Sequence, residues 1–334
     1  MSTPLLKVDG LTVETKTETG THRIVDGVSF ELQKGEILGL VGESGSGKTM
    51  ACRALLRLLP SSRLSIPKGS VRLDGKEVMD LPEDQFRAIR GKRIGMIFQN
   101  PASHLDPVMR IGDQIAESVR FHHGGSKRAA EERTIELLQQ VGIPDPKERS
   151  RAFPHEFSGG MRQRAMIALA LACDPDILIA DEPTTALDVT VQAQILRLLK
   201  ELRDARGLSI IFITHDLGVV AQLCDSICVL YGGRVCEHGP KERLLAAPRH
   251  PYTAGLMGCQ PAIGATGERL RTIPGYPPTV DAMPTGCRFH PRCSNEVAEC
   301  SRRQPPLEAY EPDHVAACYN PVGEAAALPA KESA

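Results

Sequence analysis

The chain carries almost no net charge and has no long apolar run, and each absence excludes a class of protein. Lysine and arginine number 40 and aspartate and glutamate 41, a formal charge of −1, which argues against a chain whose main role is to coat nucleic acid. No apolar run approaches the ~18 to 20 residues of a membrane-spanning helix. The N-terminus lacks a basic segment followed by an apolar stretch, so no secretory signal is expected. We therefore expect a cytoplasmic chain that reaches a membrane only by docking onto other proteins.

The composition is otherwise that of an ordinary globular protein. The 334 residues are 41% hydrophobic and 24% charged, enough to bury a core without disulfide or metal staples. At ~150 residues per domain, this length predicts about two domains, or one large domain with an appendage. The ten cysteines are not expected to form disulfides, because the cytosol keeps thiols reduced.

Up to about residue 240, short apolar runs alternate with longer helical patterns. This alternation predicts an α/β fold, with a mostly parallel sheet covered by helices on both faces. The predicted strands are Ile37–Val41, Ile94–Phe98, Ile177–Ala180, Ile210–Ile213 and Ile227–Leu230, and the clearest helices are Met161–Ala172 and Val191–Arg206. The stretch up to Leu32 and the run Val71–Leu73 alternate apolar and polar residues, which predicts an antiparallel β subdomain. Residues 102–165 are rich in helix formers and predict a helical insertion.

The composition changes near residue 240. From there on, the chain holds 14 of its 25 prolines and five of its ten cysteines. Proline removes a backbone donor, so long helices and central strands are not expected. We therefore divide the chain into a domain at 1–240 and a small, loop-rich C-terminal extension at 241–334. Apolar burial alone is not expected to stabilise the fold of this extension.

A glycine-rich stretch after the first apolar strand has the pattern of a phosphate-binding loop. It runs GESGSGKT and comprises Gly42, Glu43, Ser44, Gly45, Ser46, Gly47, Lys48 and Thr49. Glycines let the backbone N–H groups converge on phosphate oxygens. Lys48 can then reach the β- and γ-phosphates, and the Thr49 hydroxyl can bind Mg²⁺. The alternative, a glycine-rich turn with no ligand, is disfavoured by the strand before it and the helix after it.

Two acids end the apolar strand ILIA. A carboxylate at a buried strand end beside a phosphate loop suits Mg²⁺, which makes Asp181 the metal-side residue. Glu182 points the other way and can orient or deprotonate the attacking water. The alternative is a pair of solvated acids.

The segment Ser158-Gly159-Gly160 opens a helical run. The simpler interpretation is a helix cap, because serine is a good N-cap residue. The other is an anion site at the helix N-terminus, serving a nucleotide held mainly by another subunit.

Together these motifs resemble the ABC-type ATPases, over about residues 5–245. Ser158–Gly160 followed by Gln163-Arg164 is similar to the family's signature motif, and three further elements follow the family order. Gln99 resembles the Q-loop glutamine that senses Mg²⁺ and water, Ala186-Leu187-Asp188 the D-loop, and His215 the switch histidine that contacts the γ-phosphate. The resemblance implies that two subunits enclose each ATP, with Mg²⁺ held by Thr49, Gln99 and Asp181, and with Lys48, Gln99, Glu182 and His215 serving hydrolysis.

One departure from the family concerns the base of ATP. The family usually places an aromatic residue about twenty positions before the phosphate loop, where it stacks on adenine. Here that stretch is ETGTHRIVDG and contains no Phe, Tyr or Trp. His22 or Arg23 is the expected substitute, with weaker stacking.

Four cysteines of the extension form a spaced set. Cys287, Cys293, Cys300 and Cys318 follow the spacing C-x5-C-x6-C-x17-C, and a soft metal bound by their thiolates could supply folding energy. No pair is C-x2-C, as in zinc fingers, so free buried thiols are the alternative. His290 and His314 are spare candidate ligands.

The extension resembles that of ATPase subunits in dipeptide/oligopeptide importers. The run GCRFHPRC after His250-Pro251-Tyr252-Thr253 carries this resemblance, as does PTTALDVTVQAQ from Pro183. It implies a [4Fe–4S] cluster on the four cysteines, with zinc as second choice.

The resemblance also implies partners and a location. The partners are a homologous second ATPase, two membrane permeases and an extracytoplasmic solute-binding protein, with no nucleic acid. The location is peripheral, on the cytoplasmic face of the cell membrane. Close relatives carry nickel, glutathione or other solutes, so these remain open. A soluble ABC ATPase acting on nucleic acid or ribosomes, and a non-hydrolysing nucleotide-binding protein, are further alternatives.

Overall fold

A computed structural model describes residues 3–185, 187–259 and 272–323 of the chain. Ala186 of the predicted D-loop and the end of the extension, residues 324–334, lie outside the described residues. The strands are β1 (Leu6–Thr17), β2 (Gly20–Leu32), β3 (Ile37–Val41), β4 (Leu64–Leu73), β5 (Lys76–Glu77), β6 (Ile94–Ile97), β7 (Ile177–Asp181), β8 (Ser209–Thr214), β9 (Ser226–Tyr231), β10 (Arg234–Pro240), β11 (Glu308–Glu311) and β12 (His314–Ala316).

The helices fall between these strands and in the extension. They are α1 (Lys48–Leu55), α2 (Glu83–Arg87), α3 (Pro101–His104), α4 (Ile111–His123), α5 (Lys127–Gln140), α6 (Pro146–Arg149), α7 (Gly159–Ala170), α8 (Val189–Arg206), α9 (Leu217–Leu223), α10 (Lys241–Ala246), α11 (Pro251–Gly258) and α12 (Ala298–Arg302). Three 3₁₀ turns lie at Pro154–Glu156, Val280–Ala282 and His290–Arg292. Across the described ranges, no helix is both long enough and apolar enough to cross a bilayer.

The predicted apolar strands are all confirmed. Every residue of β3, β7 and β8 is buried, as expected for strands of a parallel sheet covered on both faces. The two clearest helices begin earlier than predicted, because their caps lie next to the first helical residue. The Ser158 hydroxyl accepts the N–H of Met161, and the Asp188 carboxylate accepts that of Val191.

The chain divides into two units. The first comprises residues 3–32, Ile37–Glu77 and the described residues from 214 onward. It contains the antiparallel sheet β2-β1-β4-β5, which confirms the predicted antiparallel strands, and the strand run β11-β12-β10-β9-β3. In this run β3 and β9 are parallel and the other neighbours antiparallel. The strands of the extension thus continue a sheet of the first unit, which its composition did not suggest.

The second unit comprises Gln33–Glu36 and Val78–Ile213. Its strands β6, β7 and β8 pair in parallel. Between β6 and β7 the chain forms α3 to α7, of which α4, α5 and α7 pack on one another. The segment with helix-forming composition is therefore helical.

Candidate nucleotide-binding site

The phosphate loop connects β3 to α1 in the first unit. Gly42, Gly45 and Gly47 have φ values of 153°, 80° and 96°, a region that disfavours side chains. Space also excludes larger residues, because a Cβ on Gly42 would lie 2.2 Å from the carbonyl oxygen of Leu230. Only glycine allows this loop to close against β9.

Lys48 lies folded across the loop. It is 5% exposed, and its Nζ donates to the carbonyls of Gly42 at 2.7 Å and Glu43 at 2.9 Å and to the Ser46 hydroxyl at 3.2 Å. The ammonium group is thus held over the loop, where the β- and γ-phosphates of a nucleotide would lie.

The extension also reaches this loop, through residues that sequence reasoning missed. The Glu43 N–H donates to the Tyr252 hydroxyl at 2.8 Å, and the Glu43 carboxylate accepts two hydrogen bonds from Arg292. A further contact comes from outside the extension, since the N–H of Gly233, between β9 and β10, donates to the Ser46 carbonyl at 3.0 Å. The sequence shows both residues, the Tyr of His250-Pro251-Tyr252 and the Arg preceding Cys293. Neither local pattern, however, identifies the loop residue that the side chain contacts.

In the second unit, Asp181 and Glu182 have different environments. Asp181 ends β7 and is fully buried. Glu182 has a φ of 44°, a left-handed conformation that is uncommon for a side chain of this size and often marks a functional site. Its N–H donates to the Ile213 carbonyl at 3.0 Å, which fixes the direction in which it leaves the sheet.

The Glu182 carboxylate lies at the centre of a small hydrogen-bonded group. Its Oε2 accepts from the Gln99 side-chain amide and from the Thr185 hydroxyl, each at 2.9 Å. The structure therefore brings two predicted residues together and adds Thr185, which was not predicted. Because the Gln99 nitrogen is bonded to Glu182, its amide oxygen is the atom that could face a cation or a water molecule.

The predicted signature segment caps a helix, and its residues Ser158 and Gly159 are exposed while Gly160 is half-buried. The Ser158 hydroxyl accepts the N–H of Met161 at 3.3 Å, which confirms the simpler of the two interpretations and leaves the second open. A Cβ on Gly160 would lie 2.9 Å from a methyl carbon of Val191, in the first turn of α8. The small residues thus allow this helix start to approach the first turn of α8. Asp188, the last residue of the D-loop and the cap of α8, is exposed.

The remaining predicted residues lie in the first unit. His215 directly follows β8 and is exposed. His22 interacts with the Thr19 hydroxyl at 2.9 Å. Arg23 is bound by Glu14 and Asp26, each at 3.1 Å, so stacking on a base would compete with two ion pairs.

The four cysteines of the extension come together in part. The Cys287 N–H donates to the Cys300 carbonyl at 2.8 Å. Burial raises the pKa of Cys318 to about 12, and the charges of the other three thiols add to this effect. Burial also raises the pKa of the Cys287 and Cys293 thiols. Four thiols that influence one another in this way lie within one small region.

This arrangement does not match a site for a single metal ion. Within the described parts of the chain, no group of three or more His, Cys, Asp or Glu side chains is placed to hold one. The spare candidate ligands are engaged elsewhere, His290 with Glu296 at 3.0 Å and His314 with Glu237 at 2.8 Å.

Five of the other six cysteines lie in the core. Cys52, Cys173, Cys224, Cys228 and Cys236 are all buried.

Two family models match the chain. The model described as ABC transporter matches residues 25–185, and the model described as Oligopeptide/dipeptide transporter, C-terminal region matches residues 236–300.

Curated proteins and solved structures agree with this match. The chain is 47% identical to the Oligopeptide transport ATP-binding protein OppD of Salmonella typhimurium over 321 residues, which are 96% of this chain and 95% of that protein. It is 45% identical to the Dipeptide transport ATP-binding protein DppD of Bacillus subtilis over 315 residues, 94% of each chain. Among solved structures it is similar to an ATP-binding cassette, MJ0796, in a dimeric post-hydrolysis state bound to ADP and Pi, with a TM-score of 0.64, 28% identity, and coverage of 71% of this chain and 98% of that one.

Proposed function

The chain belongs to the ABC transporter ATPases, in the group that includes oligopeptide and dipeptide transport ATP-binding proteins, and from this premise we propose that it hydrolyses ATP to drive peptide import through membrane permeases. The observation that carries the proposal is the Glu182 carboxylate, held by Gln99 and Thr185 at the end of a buried strand. A non-hydrolysing nucleotide-binding protein would not need a base fixed in this way.

The phosphate loop binds the triphosphate of ATP. Its backbone N–H groups face the phosphate oxygens, and Lys48 exchanges its bonds to loop carbonyls for bonds to the β- and γ-phosphates. The nearby ammonium stabilises the negative charge that develops as the terminal phosphoryl group leaves.

We propose Thr49, Asp181 and the Gln99 amide oxygen as ligands of Mg²⁺, as the family resemblance implies. A hydroxyl, a carboxylate and an amide carbonyl are hard oxygen ligands of the kind that Mg²⁺ prefers. When bound, the cation neutralises charge on the β- and γ-phosphates.

Glu182 positions and deprotonates the attacking water. Its two hydrogen-bond donors restrain the carboxylate, so that one orientation is available when water arrives. His215, after the adjacent strand end, contacts the γ-phosphate in this proposal. Hydrolysis is thus mainly a matter of positioning and electrostatic stabilisation.

A second ATPase subunit completes each site. It would act through the segment Ser158–Gly160, in which Ser158 and Gly159 are exposed, and through the exposed Asp188. A helix start with glycines next to its serine cap offers N–H groups to an ATP held by the partner. We expect this partner to be a homologous but different ATPase, and we expect the pair to bind two permeases at the cytoplasmic face of the membrane, with a solute-binding protein on the other side.

The four cysteines hold a [4Fe–4S] cluster in this proposal. The hydrogen bond from the Cys287 N–H to the Cys300 carbonyl brings two of the four cysteines close to each other, and four thiolates are a known ligand set for such a cluster. The cluster would supply folding energy to a proline-rich segment.

Peptide uptake by cells that lack the chromosomal copy tests the function. Wild-type chain should restore uptake of labelled di- and oligopeptides, and Glu182→Gln should not, because the amide cannot take a proton from water. Glu201→Gln, on an exposed face of α8, is the matched control and should restore uptake. Unchanged peptide uptake in the deletion strain would refute the peptide assignment and direct attention to nickel, glutathione or another solute.

A further inference from the structure

Two side chains of the extension meet the phosphate loop at one residue, Glu43. The Tyr252 hydroxyl accepts the Glu43 backbone N–H at 2.8 Å. The two terminal nitrogens of Arg292 donate to the two carboxylate oxygens at 2.6 and 3.0 Å. This is the bidentate geometry that makes an arginine–carboxylate pair both strong and directional.

Both side chains are held rigidly. Tyr252 is fully buried, with its ring 4.6 Å from that of Tyr231 and 5.2 Å from that of Phe289. The Arg292 side chain is 5% exposed. Its Nε donates to the Pro274 carbonyl at 2.8 Å and its Nη1 to the Tyr231 hydroxyl at 3.2 Å. Both side chains are therefore held by contacts other than those with Glu43.

Contacts within the extension hold the backbone that carries these two side chains. His250 caps α11 by accepting the Tyr252 N–H at 3.0 Å. Arg292 ends the 3₁₀ turn His290–Arg292 and directly precedes Cys293. The segment that carries two of the four cysteines therefore also carries the arginine that binds the loop.

Glu43 poses an electrostatic problem for a loop that binds a polyanion. Its side chain is 27% exposed and lies one residue after the first glycine of the motif. A carboxylate without a partner there would repel the phosphates of ATP, since like charges at short range in a partly buried site are weakly screened. The ion pair with Arg292 neutralises it.

The geometry points to Arg292 and Tyr252 as positioning residues for the phosphate loop, which set the affinity for ATP from outside the ATP-binding motifs. Arg292 neutralises and fixes the Glu43 side chain, and Tyr252 fixes its backbone. The inference rests on the proposed function, because it assumes that the loop binds ATP.

Binding of ATP to the full-length chain, measured by titration calorimetry with Mg²⁺, tests the inference through four variants. Arg292→Met should raise the Kd roughly tenfold, which corresponds to about 1.4 kcal/mol. Glu43→Gln alone is the reference for the double variant, and Glu43→Gln combined with Arg292→Met should bind ATP more tightly than Arg292→Met alone, because the repelling charge is gone. Glu296→Gln, which breaks the His290–Glu296 pair of the same turn, should leave the Kd unchanged.

Two further variants keep the test decisive if Arg292→Met does not fold. Arg292→Lys keeps the positive charge but loses the bidentate hydrogen bonding to Glu43, and Tyr252→Phe removes only the hydroxyl. Both should raise the KM for ATP several-fold with kcat unchanged, whereas general damage to the fold would lower kcat.

Wild-type affinity in Arg292→Met, or in both conservative variants, would overturn the inference. So would a double variant that binds no better than Arg292→Met. Lys48→Ala separates this failure from that of the proposed function. If Lys48→Ala loses ATP binding while the Arg292 variants keep it, only the inference fails; if Lys48→Ala binds as wild type does, the assignment of the loop itself is wrong.

Discussion

Acid should destabilise the first unit through the buried His250. The residue is 2% exposed, and its Nδ1 accepts the Tyr252 N–H, so the ring is neutral with its proton on Nε2. Burial lowers the pKa of His250 to about 4, although the charge of Glu237 opposes the shift. Protonation would place a donor against the Tyr252 N–H and remove the helix cap.

The sign and size of the effect follow from linkage. Below about pH 6.5 the unfolded chain binds a proton that the folded chain rejects until about pH 4, so stability falls as the pH falls through this window. The difference between these two values corresponds to a limit of about 3 kcal/mol, of which about 2 kcal/mol should be lost by pH 5.

Urea unfolding at several pH values between 7.5 and 5.0 measures this loss. Far-UV circular dichroism is the suitable probe, because the chain has no tryptophan. His250→Asn keeps an oxygen that can cap α11 but does not titrate. It should cost about 1 to 2 kcal/mol at every pH from the smaller side chain, and its stability should change less with pH, so that the two curves converge near pH 5.

His250→Ala separates the cap from the titration. It should show the same weaker pH dependence as His250→Asn, with a further loss of about 1 kcal/mol from the missing cap. If wild type and both variants lose stability in parallel between pH 7.5 and 5.0, the reasoning about His250 is refuted.

Two further results are expected. Asp26→Asn should lower the free energy of unfolding by about 2 to 3 kcal/mol, because Arg234 and Arg288 lose their shared carboxylate and the Arg288 side chain is only 10% exposed. Urea unfolding measures this loss, with Glu31→Gln in an exposed ion pair as the control. A loss no larger than that of the control would contradict the prediction. Anaerobic reconstitution with iron and sulfide should give about four irons per chain, lost in Cys318→Ser, whereas zinc uptake without iron would contradict the cluster proposal.

The sequence predicted the parts of the fold that depend on local pattern. ILGLV and ILIA are strands because continuous apolar runs of this length suit a sheet buried on both faces. The phosphate loop and Glu182 were predictable because each follows such a strand. The helix starts were missed by two residues, because an N-cap side chain bonds to a residue two or three positions ahead.

Contacts between distant segments could not be predicted in this way. Arg292 and Glu43 are 249 positions apart, and nothing local in either segment specifies the other. Strands β11 and β12 have four and three residues, too short for periodicity to indicate them. Thr185 was missed because its role depends on where the chain turns after Glu182.

A buried acid on β10 shows why the extension cannot be treated as a separate appendage. Glu237 is fully buried, and a buried carboxylate costs several kcal/mol unless donors surround it. Its donors are the N–H groups of Arg249 at 2.7 Å and His250 at 3.0 Å and the Nε2 of His314 at 2.8 Å. All three follow the change of composition at residue 240, so the strand before that change depends on the segment after it. Since the same segment holds Tyr252 against the phosphate loop, the contacts that satisfy Glu237 also fix part of the proposed ATP site.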